Sequence, residues 1–186
     1  AASVGGFTTM DFADPAAPKI EKIDFDLGKF GYALCVVDTG GNHADLTGEY
    51  AAVPAEMKAV AAELGASVLR EVDEERFYAA IPSLRKTVGD RAILRAIHFF
   101  RDNRIVDEEV SALKSGDFEA FKQLVIASGR SSATNLQNVF AVVNPQEQGL
   151  SLALALIERL LDGRGAYRVH GGGFAGTIQA YVPAAK

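Results

Sequence analysis

Gly171, Gly173 and Gly176 satisfy the spacing G-x-G-x-x-G within YRVHGGGFAGTIQAYVP, Tyr167 to Pro183. Glycine leaves no Cβ in the way, so such a loop lets backbone approach a phosphate closely, and freed N–H groups can serve an anion. Position tests this chemistry. A dinucleotide fold needs the pattern to open a helix after a first strand, with an acidic residue about 20 positions further on for the ribose. Only ten residues follow Gly176, and Ile178, Ala180 and Val182 alternate as in a strand. A Walker loop needs G-K-[ST], which is absent. Two readings stay open: a glycine turn that lets another segment pack closely, or bare backbone facing a ligand or a phosphate-holding neighbour.

Other residues offer chemistry of their own. Tyr50 could hydrogen-bond a hydroxyl and lay its ring on an apolar face, but it also fits a helical core stripe. His43, Asp45 and Glu49 could suggest a metal, yet no tight ligand spacing such as H-x-x-x-H supports one, and no metal site is assigned. His170 reads as a strand histidine held by local hydrogen bonds rather than a base, and His98 as a structural residue inside a helix. Arg91, Arg95, Arg101 and Arg104 alternate with Asp90, Asp102, Asp107 and Glu108, the pattern of a solvated, salt-bridged helix surface. The single cysteine, Cys35, excludes an internal disulfide and reads as a small buried hydrophobe.

The elements that must position these residues change in period along the chain. GFTTMDF and PKIEKIDFDL read as short strands, and FGYALCVVDT as a strand covered on both faces. Leu46, Tyr50, Val53, Met57, Val60, Ala61 and Leu64 stripe one helix, stopped by Gly65. EERFYAAI forms a short helix. Ile93, Leu94, Ile97 and Phe100 stripe another, resumed at Val106, Val110 and Leu113 before Gly116. Asp117 caps the next, which buries Phe118, Phe121, Leu124 and Val125 and ends at Gly129. The segment NPQEQGLSLALALIERLLDG has Asn144 as N-cap, Pro145 at N1, Glu147 completing a capping box and Gly163 as stop. Its middle is apolar almost all round, so it is expected to be central. The glycine segment then joins two strands as a hairpin-like loop. Strands first, helices in the middle and strands last give an α+β fold with an antiparallel sheet.

The bulk numbers bound the function. With 186 residues, 48% of them hydrophobic, the chain can bury a sizeable core. A net charge of −5 argues against nucleic acid as a partner. LSLALALI is too short to span a bilayer, so no membrane partner is expected, and the lone cysteine makes a cytoplasmic setting the default. The opening AASVGGF lacks a methionine and the parts of a signal peptide, and suggests a piece of something longer.

Four stretches together resemble galactokinases, within the group of sugar, mevalonate and homoserine kinases called GHMP kinases. VVDTGGNHADLTGEY looks like the family segment that follows a core strand and ends in Glu49–Tyr50. RAIHFFRDNRIVDEEVSALKSGDFEAFKQLVIASGRSS resembles its helical pair, with the L-x-x-G-D-[FY]-x-x-F joint at Leu113 to Phe121. SSATNLQNVFAVVNPQEQGL is similar to the helix-loop-helix after it, and VHGGGFAGTIQAYV to the group's third motif. They run in family order over most of Val36 to Val182.

The resemblance implies a ferredoxin-like GHMP kinase C-terminal domain at 28–186, preceded at 1–27 by residual strands of the N-terminal domain. It implies phosphoryl transfer from ATP to galactose with magnesium, giving galactose 1-phosphate. The family's catalytic aspartate would lie a few residues upstream of Ala1 and its phosphate loop further upstream. ATP and magnesium would be bound mainly there, no catalytic residue would fall within this chain, and the isolated chain would be inactive. Tyr50 matches the family tyrosine that contacts the sugar. Gly171, Gly172, Gly173, Phe174, Ala175 and Gly176 match the motif beside the phosphate loop. The family usually has Thr, Gly and Cys where this chain has His170, Ala175 and Thr177, which favours packing against the phosphate loop over direct phosphate contact. His43, seven before Tyr50, would order its loop. A kinase of the same group with another substrate, or a galactose-sensing non-catalytic relative, remains as an alternative.

Overall fold

The computed structural model describes residues 6–41 and 46–184. His43 and Asp45 lie outside the described residues. Strands β1 (Phe7–Asp11) and β2 (Lys19–Ile23) form an antiparallel hairpin, with ADPAAP at its turn. Its inner residues Phe7 and Ile23, with Phe25 just after it, pack on Phe118 and Phe121. Phe7 and Phe25 meet edge to face at 5.8 Å, and Phe7 and Phe121 at 5.5 Å, the offset geometry that aromatic quadrupoles favour.

Strand β3 (Tyr32–Asp38) lies at one edge of a three-stranded antiparallel sheet. The other strands come last in sequence: β4 (Ala166–His170) and β5 (Thr177–Pro183), in the order β3-β5-β4. Five helices lie between: α1 (Thr47–Glu63), α2 (Glu74–Thr87), α3 (Asp90–Ser115), α4 (Phe118–Ser131) and α5 (Gly149–Leu161). The architecture is α+β, helix-rich with two small antiparallel sheets.

Local chemistry explains most boundaries. Gly65 and Gly116 take the positive φ that ends α1 and α3. Asp73 and Asp117 cap α2 and α4 by accepting from Arg76 N and Ala120 N at 2.8 and 2.9 Å. The EERFYAAI helix continues to Thr87 through Pro82, so α2 is longer than its apolar pattern suggests. Helix α4 passes Gly129, because a bare Cα there lets Arg168 of β4 sit within van der Waals reach. It then widens into a π-helical turn, Ser132–Leu136, closed by Gln137 at φ 59°.

Other expectations fail. Helix α5 begins at Gly149, not at Asn144. Asn144 to Gln148 forms a turn instead, with Glu147 N donating to Asn144 O and Gln148 Nε2 to Pro145 O. Nor is α5 enclosed: Leu152, Leu156 and Leu160 are 61%, 51% and 70% exposed. Strand β3 is open on both faces, and Cys35 is exposed with it. Arg95 is no surface residue. It is 1% exposed, held by Glu56 Oε2 at 2.9 Å and by the Leu136 carbonyl at 3.2 Å. Arg91, by contrast, does pair at the surface, with Glu56. His98 is buried in α3, with Nδ1 2.9 Å from Ser131 Oγ. Among the described residues no helix is long and apolar enough to cross a membrane.

Candidate functional site

The glycine loop is the tight connection between β4 and β5. Gly171, Gly173 and Gly176 take positive φ of 72°, 82° and 97°, and Phe174 takes 57°. For Phe174 this is an uncommon conformation that the packing must enforce. Gly171 and Gly172 are exposed, whereas Gly173, Phe174 and Ala175 are buried. The bare backbone thus splits into an open tip and a buried base.

Tyr50 enters this loop from the first turn of α1. Its hydroxyl donates to the Gly173 carbonyl oxygen at 2.7 Å. Its ring meets Phe174 edge to face, with centroids 5.2 Å apart. A Cβ on Gly172 would lie 2.9 Å from Tyr50 Cε1, closer than such atoms approach. The half-buried phenol shows a pKa raised by burial, so it stays protonated and donates at neutral pH. Tyr50 packs with Leu46 and Val53, as its helical stripe predicts, and it also touches the loop.

Asn138 is a participant that the sequence reading missed. It is 2% exposed, its Nδ2 donates to Gly172 O at 3.1 Å, and its backbone carbonyl accepts from Phe174 N at 2.5 Å. A Cβ on Gly173 would collide with both the carbonyl and the amide of Asn138. No local pattern announces it, because Asn138 reaches the loop only after the π-turn and Gln137 have turned the chain.

On the β3 side, Thr39 donates to Gly176 O from both its backbone N (2.9 Å) and its Oγ1 (2.7 Å). Gly41 lies against Ala175, where an added Cβ would stand 3.1 Å from the alanine's. His170 sits just before the loop, exposed, with Nδ1 3.0 Å from Gln179 Oε1.

Beside the loop lies a cavity of about 450 Å³, walled by Thr39, Leu46, Asn144, Glu147, Phe174 and Ala175 among others. Glu147 is the charged side chain among its described lining residues. A triphosphate needs cations or a cradle of donors to offset its charge. Among the described residues these walls offer bare glycine backbone and no cationic side chain, which by themselves do not fit a nucleotide's phosphates.

A galactokinase of Mycobacterium tuberculosis is 31% identical over 175 residues, 94% of this chain and 44% of that protein. One of Actinobacillus pleuropneumoniae is 30% identical over 156 residues, 84% of this chain and 38% of its own length. Over most of its length this chain is a homologue of galactokinases. The fold agrees: the crystal structure of Lactococcus lactis galactokinase complexed with galactose superposes with a TM-score of 0.73 over 97% of this chain and 44% of that one, at 18% identity. No family model matches the chain. The chain spans less than half the length of the galactokinases it matches.

Proposed function

We propose that this chain is the C-terminal part of a galactokinase, a kinase that in its complete form transfers the γ-phosphoryl group of ATP to galactose with magnesium, in the cytoplasm. The homology over most of the chain carries this reading, and the meeting of Tyr50 with the glycine loop supports it. In this reading residues 28–186 form the C-terminal domain and 1–27 belong with the N-terminal one. The separation of the β1–β2 hairpin from the β3-β5-β4 sheet supports a boundary there.

Phosphoryl transfer is mostly positioning and charge neutralisation. The chain's share is a wall. In this reading Tyr50 contacts the sugar, and its hydroxyl proton fixes Gly173 O. Gly171 to Gly176 back the phosphate-holding loop. With no cation among the wall's described residues, this reading leaves ATP and magnesium to the rest of the protein, and the 186 residues alone turn nothing over. The test is a substrate panel with coupled ADP detection on the complete gene product. Turnover of galactose is expected; turnover of only another sugar, of mevalonate or of homoserine, or of none, overturns the reading.

A further inference from the structure

A second cavity, of about 310 Å³, lies between α1, the start of α3 and the π-turn, walled by Glu49, Arg91, Arg95, Thr134, Gln137 and Phe140 among others. It shares no described lining residue with the cavity beside the glycine loop. Its size falls at the small end of ligand sites, with room beyond a phosphate group for a carbon skeleton.

The two arginines bring more charge than their partner cancels. Glu56 spends both oxygens on them: Oε1 accepts from Nε and Nη2 of Arg91 at 2.9 and 2.5 Å, and Oε2 from Nη1 of Arg95 at 2.9 Å. One carboxylate thus stands against two guanidiniums. Arg95 Nε is taken by the Leu136 carbonyl, which leaves its Nη2 without a hydrogen bond among the described residues. That nitrogen is not sealed in. The buried side-chain atoms lacking a partner among the described residues are Ser132 Oγ and Asn138 Oδ1. The residual 1% exposure of Arg95 therefore lies at Nη2, on the cavity wall. Burial, with Arg91 alongside, lowers the Arg95 pKa, so its charge is held at a cost that an anion in the cavity would offset.

Glu49 supplies the other half of the wall's chemistry. It is half-buried, near enough to favour both guanidinium charges, and hydrogen-bonded to neither. Guanidinium forks match the oxygens of a phosphate. A carboxylate repels a second anion but accepts from a hydroxyl. Gln137 adds a neutral polar group, and Phe140 an apolar flank for the carbon–hydrogen face of a polyol.

We propose that this cavity binds a small phosphomonoester that carries hydroxyl groups, its phosphate held by Arg91 and Arg95 and a hydroxyl by Glu49. Sugar phosphates and shorter polyol phosphates share that chemistry. The inference does not depend on the galactokinase reading. The site sits directly behind the glycine loop's restraints: Glu49 precedes Tyr50, which holds Gly173 O, and Gln137 precedes Asn138, which holds Gly172 O. Its wall includes the π-turn, a feature that recurs at functional sites.

The test is isothermal titration of the complete gene product, with galactose and a non-hydrolysable ATP analogue at saturation to fill any catalytic site. The titrants are galactose 1-phosphate, glycerol 3-phosphate and inorganic phosphate. At least one ester is expected to bind one to one, several-fold tighter than inorganic phosphate; which ester binds tells sugar from shorter polyol. Arg91→Gln weakens it about tenfold or more, as loss of a charge-assisted hydrogen bond requires, and melts near wild type. Arg91→Lys keeps the charge without the fork and loses less, which holds the test open should the glutamine variant fold poorly. Glu49→Gln narrows the preference for the ester over inorganic phosphate, because only a hydroxyl loses its acceptor. Absence of ester binding, equal affinity in wild type and both Arg91 variants, or a preference that Glu49→Gln leaves intact overturns the proposal. Arg91-dependent binding in a protein that does not phosphorylate galactose keeps this proposal and removes the galactokinase reading; galactose turnover without such binding does the reverse.

Discussion

The Tyr50 hydroxyl and the Gly173 carbonyl oxygen stand 2.7 Å apart across 123 residues of sequence. One hydrogen bond joins the start of the helical half of the chain to the loop that ends it. It ties the sugar-facing candidate to the phosphate-facing one, so a change at either is felt at both.

Tyr50→Phe removes that bond but keeps the ring against Phe174 and Gly172. A loss of about 1 kcal/mol of stability is expected, read by urea denaturation. Tyr50→Ala also empties the space under the loop and costs about 3 kcal/mol or more. In the complete protein Tyr50→Ala raises the KM for galactose; an unchanged kcat/KM removes Tyr50 from the sugar site.

The glycines of the loop differ in how replaceable they are. Gly171→Ala meets open space and pays only for its positive φ, about 1 kcal/mol. Gly173→Ala pays for the same φ and drives a methyl group into Asn138. Thermal melts should rank Gly173→Ala well below Gly171→Ala, and equal melts would show that Asn138 yields.

Arg95→Ala leaves the Leu136 carbonyl without its donor and a gap where the buried guanidinium stood, while half-buried Glu56 keeps Arg91. A loss of about 2–3 kcal/mol is expected. Exposed Arg85, paired with Asp90 at the surface, serves as control, and its replacement by alanine is expected to leave the melting temperature close to wild type.

Two groups on α3 set opposite pH trends. Burial lowers the pKa of His98, so its share of stability is complete above the ordinary imidazole pKa and falls as pH drops through it. Burial raises Glu109 to about 7, against the pull of Arg168. Its folded form prefers the proton, so its share is complete below the ordinary carboxyl pKa and is lost as pH rises toward 7. Glu109→Gln should therefore raise the melting temperature at pH 8 relative to its effect at pH 4. His98→Gln should flatten the decline between pH 7 and 5. A Glu109→Gln effect independent of pH would place that carboxyl in water.

The parts legible in the sequence are those decided within a few residues. Gly65, Gly116 and Asp117 mark helix ends because a positive φ or a side-chain cap acts on its own turn. The hairpin around Gly171 to Gly176 is legible because the alternation on both flanks fixes the strands. What was not legible depends on distant partners. Asn144 to Glu147 has the letters of a capping box, but Glu147 N is taken by the Asn144 carbonyl in a turn, and the helix waits for Gly149 beside Thr39. Arg95 looks like its neighbours until Glu56, 39 positions away, draws it inside. Cys35 reads as covered because its strand has the composition of a covered strand; composition reports what a strand is fit for, not what lies on it.

The π-turn at Ser132–Leu136 inserts its surplus residue just ahead of Asn138. A helix regains its phase when such a residue is deleted, which swings everything after it by about 100°. A single-residue deletion there would leave Asn138, Tyr50 and every glycine in the sequence and still unhook the loop. A relative with one residue fewer in this segment would have to restrain the glycine hairpin with some other group.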